Sequence, residues 1–389
     1  MPLDCQRHLF RLPESVSYVN CAYKAPLLRT AETIGHEAVS LKALPYTITK
    51  DLFFEPVKEV TTLFAKLLHV DDPDRIAIIP SVSYGMANVI NNVSPKEHGK
   101  GHVVVVEEQF PSAIYPWRRW CKKHGVALHT IDAPAQTNER GLAWNEQILA
   151  AINSETVAVV LPHVHWTDGT IFDLEAIRAV SKQHGALLII DGTQSVGALP
   201  FDQSKIEADA IICAGYKWLM GPYSFGLAYY GPHFDQGTPI EENWISRLGS
   251  EDFQNLVNYG DELQPKGKRY SVGEHSNFIM VPMMKVALEQ LLTWGVENIQ
   301  DYCRNITEQP IAELQAMGCL LEHEDYRAHH LFGVRLPASI DADKLQQLFQ
   351  ERQVFVSLRG DAIRIAPNVY NTTQDMERLV SCFRDASKD

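Results

Sequence analysis

A lysine framed by two aromatic residues, Tyr216-Lys217-Trp218, follows the short apolar run Ala210–Cys213. Upstream, a second apolar run, Ala186–Ile190, stops at a carboxylate, Asp191. Burying an acid and an amine at neighbouring strand ends costs desolvation energy and does little for stability. The arrangement makes chemical sense if a cofactor lies between the two groups. Pyridoxal 5'-phosphate (PLP) has a ring nitrogen that needs an anion and an aldehyde that takes an amine. In that reading Lys217 holds PLP as a Schiff base and later shuttles the substrate α-proton, for which its amine must be neutral. Asp191 keeps the ring nitrogen protonated, so that the ring can absorb electrons from the α-carbon. A helix cap for Asp191 and a surface position for Lys217 are the ordinary alternatives. Jointly they leave the strand-end placement and the aromatic frame unexplained.

Three further segments follow apolar runs. Pro80–Met86 places Ser83, Tyr84 and a glycine at the entry to a helix, which suits either a phosphate or a plain N-cap. Phe110, after Val103–Glu107, is either core or a stacking platform for a pyridine ring. His163 and His165 alternate on a strand and so point the same way. No third ligand at suitable spacing follows, so a metal site is set aside in favour of groups that line a cofactor or substrate, with His165 and Trp166 on the substrate side. A dinucleotide fold would need G-x-G-x-x-G after a strand, and none occurs. Ser195, within Gly192–Gly197, has the wrong spacing for a serine nucleophile elbow.

Seven short runs supply the elements that would position these residues: Ile76–Ile79, Val103–Glu107, Val126–Ile131, Thr156–Leu161, Ala186–Ile190, Ala210–Cys213 and Gly226–Tyr230. Most are apolar throughout, as expected of strands covered on both faces. Helical patterns lie between several of them, such as Leu174–His184 with Gly185 as its stop. The fold class expected is α/β, a mostly parallel seven-stranded sheet with helices on both faces, over residues 16–262. The last two strands are too close for a helical crossover, which allows the final one to run antiparallel. After about residue 260 the pattern changes to a smaller α+β domain, residues 263–389, with Gln264–Lys268 as the junction and residues 1–15 packed on it. Its expected elements are helices Met283–Trp294, Ile299–Met317 and Asp343–Arg352, strands Leu331–Leu336, Val354–Leu358 and Ala362–Ala366, and a last helix from Thr373.

The 389 residues are 45% hydrophobic and 21% charged, ordinary values for a globular enzyme. The net charge of −13 argues against nucleic acid or an anionic membrane as partner. Seven scattered cysteines without a CxxC pair fit reduced thiols. The N-terminus lacks the pattern of a signal peptide, and a cytoplasmic location is expected.

Three stretches together resemble the class-V aminotransferase group of fold-type I PLP-dependent enzymes, which includes cysteine desulfurases, isopenicillin N epimerases and kynureninases. They are Asp191–Gln194, Tyr216–Trp218 and Arg364–Thr372. The resemblance runs from about Tyr18 to Thr372. It implies Lys217 on the cofactor aldehyde, Asp191 on the ring nitrogen and Gln194 near the phenolic oxygen. It also implies Ser83, Tyr84 and Tyr216 near the phosphate, Phe110 stacked on the ring, and Arg364 paired bidentately with the substrate α-carboxylate. The segment Arg269–Asn277 falls where the family sends a loop across a homodimer, with Asn277 at the partner's cofactor.

The departures matter as much. Desulfurases carry a loop cysteine between two arginines, whereas Arg359 and Arg364 enclose none, and the nearest cysteine is Cys382. That argues against persulfide chemistry and leaves the chain cysteine desulfurase-like in name only. Ala113 and Gln194 stand where kynureninases have aspartate and histidine. The expectation is therefore transamination or C–X lyase chemistry on an amino acid. Epimerisation is the alternative within the family, and Tyr23, His165 and Trp166 are the candidates near the α-carbon. The rivals from other classes are a non-catalytic binding or regulatory protein and a nicotinamide-dependent dehydrogenase.

Overall fold

The computed structural model describes residues 2–96, 101–135 and 137–387. The seven expected strands pair into one sheet: β1 (Ile76–Ile79), β2 (His102–Val106), β3 (Ala127–Ile131), β4 (Thr156–Pro162), β5 (Leu187–Asp191), β6 (Ala210–Ala214) and β7 (Gly226–Tyr230). Their order across the sheet is β1-β7-β6-β5-β4-β2-β3. Strands β2 to β6 run parallel, and β7 is antiparallel to both β1 and β6.

The lack of polar alternation has a direct cause. Val104 and Val106 of β2 enter one apolar cluster, while Val103 and Val105 enter a second on the other face. Edge strand β3 departs from this, with most of its residues outside the core. The other edge, β1, is covered: Val272 N donates to Ile78 O at 2.9 Å, and Ile78 N donates to Ser271 Oγ at 3.2 Å. A covered edge cannot template pairing with another chain.

A three-stranded antiparallel sheet follows, in the order β9-β10-β8, from β8 (Phe332–Val334), β9 (Ser357–Arg359) and β10 (Ala362–Ile365). The expected strand Val354–Leu358 is divided. Val354–Phe355 pairs in parallel with Ser17–Tyr18, and β9 begins at Ser357. Helix Met280–Trp294 starts earlier than expected because Asn277 Oδ1 accepts from the N–H groups of Ile279 and Met280. It packs on helices Arg29–Ala43 and Asp51–Leu67, and one apolar cluster runs from Ile190 of β5 to Val380 in helix Thr373–Ala386. The N-terminal segment lies against that last helix, through Arg7 with Asp375 at 2.9 Å and Phe10 with Tyr370 at 5.1 Å between ring centres. Among the described residues, no helix is long and apolar enough to cross a membrane.

Candidate active site

Side chains beyond a parallel sheet's carboxyl ends converge because every strand delivers its following loop to the same edge. Here the loops after β1, β2, β4, β5 and β6, with the approach to antiparallel β7, enclose a cavity of about 270 Å³. Pro80–Val82, Gln109–Phe110, Trp166, Asp191, Thr193–Gln194, Tyr216–Lys217 and Tyr223–Phe225 all contribute to its wall.

Asp191 ends β5 and is buried, with Oδ1 accepting from Thr193 N at 3.0 Å. Burial pushes its carboxyl pKa up, against the hydrogen bonds of Thr193 and the charge of Lys217. Lys217 sits in the loop after β6, which folds back so tightly that a Cβ on Gly215 would come within 2.4 Å of Phe225 O. Only 6% of Lys217 is exposed. Burial and the nearby charge of Arg364 bring its amine down to about 8, against the pull of Asp191. Its Nζ lies 5.4 Å from the ring centre of Phe110 and 5.8 Å from that of Tyr216. Asp191 and Lys217 share the cavity wall and form no ion pair with each other.

The hydroxyl that reaches the cavity from the β1 loop is Ser81, where the sequence pointed to Ser83. Ser81 caps helix Val82–Asn91 by accepting from Tyr84 N at 3.2 Å, and its Oγ lies 3.0 Å from that of Ser83. Tyr84 turns away, donating from its phenol to Glu241 at 2.7 Å. Gln194 lines the cavity, held by Trp218 Nε1 at 2.8 Å and by its own donation to Ala22 O. Trp166 stands edge-on to Phe110, with ring centres 5.5 Å apart, and its Nε1 donates to Glu108 O.

His165 must be corrected. The strand ends at Pro162, so the two histidines no longer share a face. The His165 ring packs in the core on Trp144 and Phe172, with Nδ1 2.8 Å from Thr167 Oγ1, and it does not line the cavity. His163 packs separately on Phe201. Tyr23 is half exposed and lies outside the cavity wall. Asn277 caps its helix, away from this chain's own cavity.

Arg364, on β10, comes from the small sheet and is 1% exposed. Its Nη1 donates to Trp166 O at 2.9 Å, while Nε and Nη2 are buried without partners. Burial first, and the charge of Arg359 second, lower its pKa to about 9. A buried guanidinium with two unpartnered donors can grip a planar anion.

A model of the family described as "Aminotransferase class-V" matches residues 48–379. The chain belongs to the class-V aminotransferase family. An uncharacterized aminotransferase, YcbU of Bacillus subtilis (strain 168), is 27% identical over 82% of this chain and 80% of that protein. Isopenicillin N epimerase of Amycolatopsis lactamdurans is 21% identical, covering 81% of each. A solved structure of C-DES, with glycine covalently linked to its PLP cofactor, aligns with a TM-score of 0.84 at 18% identity, over 98% of this chain and 100% of that one. Class-V aminotransferases are PLP-dependent enzymes, and this chain's unpaired Lys217, buried Asp191, ring platform Phe110 and capped helix N-terminus fit that cofactor.

Several wall residues went unnoticed in the sequence. Ser81 carried a readable signal, the N-cap position beside Ser83. Thr193 lay inside the Asp191–Gln194 motif and receives Ala214 N on its hydroxyl at 3.1 Å. Ser224, at φ +61°, and Tyr223 gave no signal, because their place depends on how the loop before β7 folds back.

Proposed function

We propose that the protein is a PLP enzyme acting at the α-carbon of an amino acid with a free α-carboxylate, by transamination or by C–X lyase chemistry. One observation carries the substrate class: Arg364, near enough to Lys217 for its charge to be felt there, has two buried donors without partners. PLP, when bound, supplies an electron sink for negative charge at the substrate α-carbon. Lys217 would hold its aldehyde, Asp191 its ring nitrogen, Phe110 its ring face, and Ser81 with the helix N-terminus and Tyr216 its phosphate. Arg364 binds and orients the substrate carboxylate through a two-pronged contact. Lys217, whose lowered pKa of about 8 gives it a far larger neutral fraction at physiological pH than an ordinary lysine, is the base that moves the proton at the α-carbon. Phe110 and Trp166 exclude water from one wall.

Persulfide transfer is disfavoured. The β9–β10 turn, where desulfurases carry their cysteine, holds Gly360 and Asp361, and Cys382 is buried in the last helix. Cys21, whose charge Lys217 would feel, is fully buried with its thiol pushed up to about 11 by burial, so it is not a thiolate. The protein is further proposed to be a cytoplasmic homodimer divided near residue 262, with Arg269–Asn277 serving the partner's phosphate.

The test is spectroscopic. Protein loaded with PLP should show a visible band that Lys217→Ala abolishes, and an amino-acid panel should shift it. Pyridoxamine phosphate accumulating would indicate transamination, and release of ammonia or a thiol would indicate a lyase. A protein that stays colourless after loading overturns the reading.

A further inference from the structure

Two guanidinium groups flank Trp166, a residue of the cavity wall. Arg364 Cζ lies 5.9 Å from the centre of the Trp166 ring, and Arg359 Cζ lies 5.7 Å from the centre of the same ring. Arg359 ends β9, opposite Ala362 in the hairpin register. Its Nη1 donates to Leu358 O at 2.8 Å. Asp361, the acid in the same turn, is engaged by Arg335 at 3.2 Å. Among the described residues, no carboxylate lies within ion-pair distance of Arg359 or Arg364.

This pairing of like charges is unfavourable as it stands. The field of Arg359 helps to lower the pKa of both Arg364 and Lys217. An anion entering between the two cations relieves that repulsion. One carboxylate fills one planar fork, and Arg364 has the two idle nitrogens for it. The second cation is left over.

We propose that Arg359 binds a second anionic group at the end of the substrate side chain, which makes acidic α-amino acids the substrate class. The inference rests on Arg364 as the grip for the α-carboxylate. Arg359 is the specificity-determining residue: a neutral side chain leaves it unpaired, and a basic one is repelled by it. Its partial exposure suits this, since the guanidinium can adjust to side chains of different length.

The experiment uses the PLP-loaded enzyme and two pairs of near-isosteric ligands, L-glutamate with L-glutamine and L-aspartate with L-asparagine. Dissociation constants are read from the change in visible absorbance. At least one acid should bind about tenfold or more tightly than its amide, as a charge-assisted contact allows. Arg359→Met should erase that difference and leave the amides within about twofold of wild type. Arg359→Gln, which keeps a donor for Leu358, should behave the same way. Equal affinities for acids and amides in wild type would overturn the proposal. So would an Arg359→Met variant that loses amides as much as acids, because Arg359 would then hold the α-carboxylate. A band that responds to amino acids but not to their charge sinks this inference alone. A protein that forms no band sinks the functional reading and this inference with it.

Discussion

Replacing Arg364 by methionine should make the cofactor-free protein more stable and the enzyme nearly blind to amino acids. The guanidinium is buried, makes one hydrogen bond, to Trp166 O, and leaves Nε and Nη2 idle. A pKa near 9, against an ordinary value above 12, means a charged state disfavoured by several kcal/mol, on the order of 5. Methionine keeps much of the apolar stem but gives up the charged hydrogen bond, which returns about 1.5–3 kcal/mol. Strain and altered packing return part of the rest, leaving a net gain of about 2 kcal/mol, or a few degrees in melting temperature for a chain this long.

The sign with pH is fixed. Because the folded pKa is depressed, the penalty is fully present below about 9 and fades as pH rises toward the ordinary arginine range. The stability gap between variant and wild type should therefore hold from pH 7 to 8 and narrow at higher pH. Binding should move the other way. Losing one partner of a buried charge pair costs about 2–5 kcal/mol, so amino-acid affinity falls by about 30-fold or more. Amines without a carboxylate should change by less than about threefold. Scanning calorimetry and absorbance titration read the two effects. A variant that melts several degrees lower at pH 7, or that loses amines and amino acids alike, refutes the reasoning.

Two further outcomes follow from the same structure. Capture of PLP by cofactor-free protein should quicken about tenfold per pH unit below about 8 and level off above it, because Lys217 attacks as the neutral amine. A rate flat from pH 6 to 9 would contradict this. Asp168→Asn should cost about 3–5 kcal/mol in denaturant unfolding, because the buried carboxylate bonds Arg140, Arg335 and Thr170, and its loss leaves the two arginines only the exposed carboxylates of Glu108 and Asp361. Burial pushes the Asp168 carboxyl up, but His165, Arg140 and Arg335 outweigh it and hold it well below the usual range. A cost under about 1 kcal/mol would show that the network is not a stability element.

Much of the large sheet was legible because its strands are buried on both faces and so read as unbroken apolar runs. Asp191, Lys217 and Phe110 were legible as cavity residues for a related reason: each stands just past such a run, where the fold brings loops together, whereas Gln194 came only with the family resemblance. Legibility failed where the answer lay in three dimensions. His165 looked like a group beside the substrate at a strand end, but the chain turns after Pro162 and the ring is buried. The split at Val356 depends on pairing with Ser17–Tyr18, from the far end of the chain. Arg359 was visible only as the border of a missing cysteine, and its nearness to Trp166 comes from the packing of one sheet against another.

The pairing of β1 has a consequence for how the protein is made. Ile76 faces Tyr229, so a strand that leaves the ribosome early finds its sheet partner only after five others have been synthesised. Such distant pairing is slow to form, and until then β1 is an orphan edge. Pro80–Val82 follows β1, and Ser224–Phe225 precedes β7. The last ladder to close in the sheet is therefore the one that completes the mouth of the cavity, and a nascent chain shorter than that point has Asp191 and Lys217 but no finished pocket to hold a cofactor.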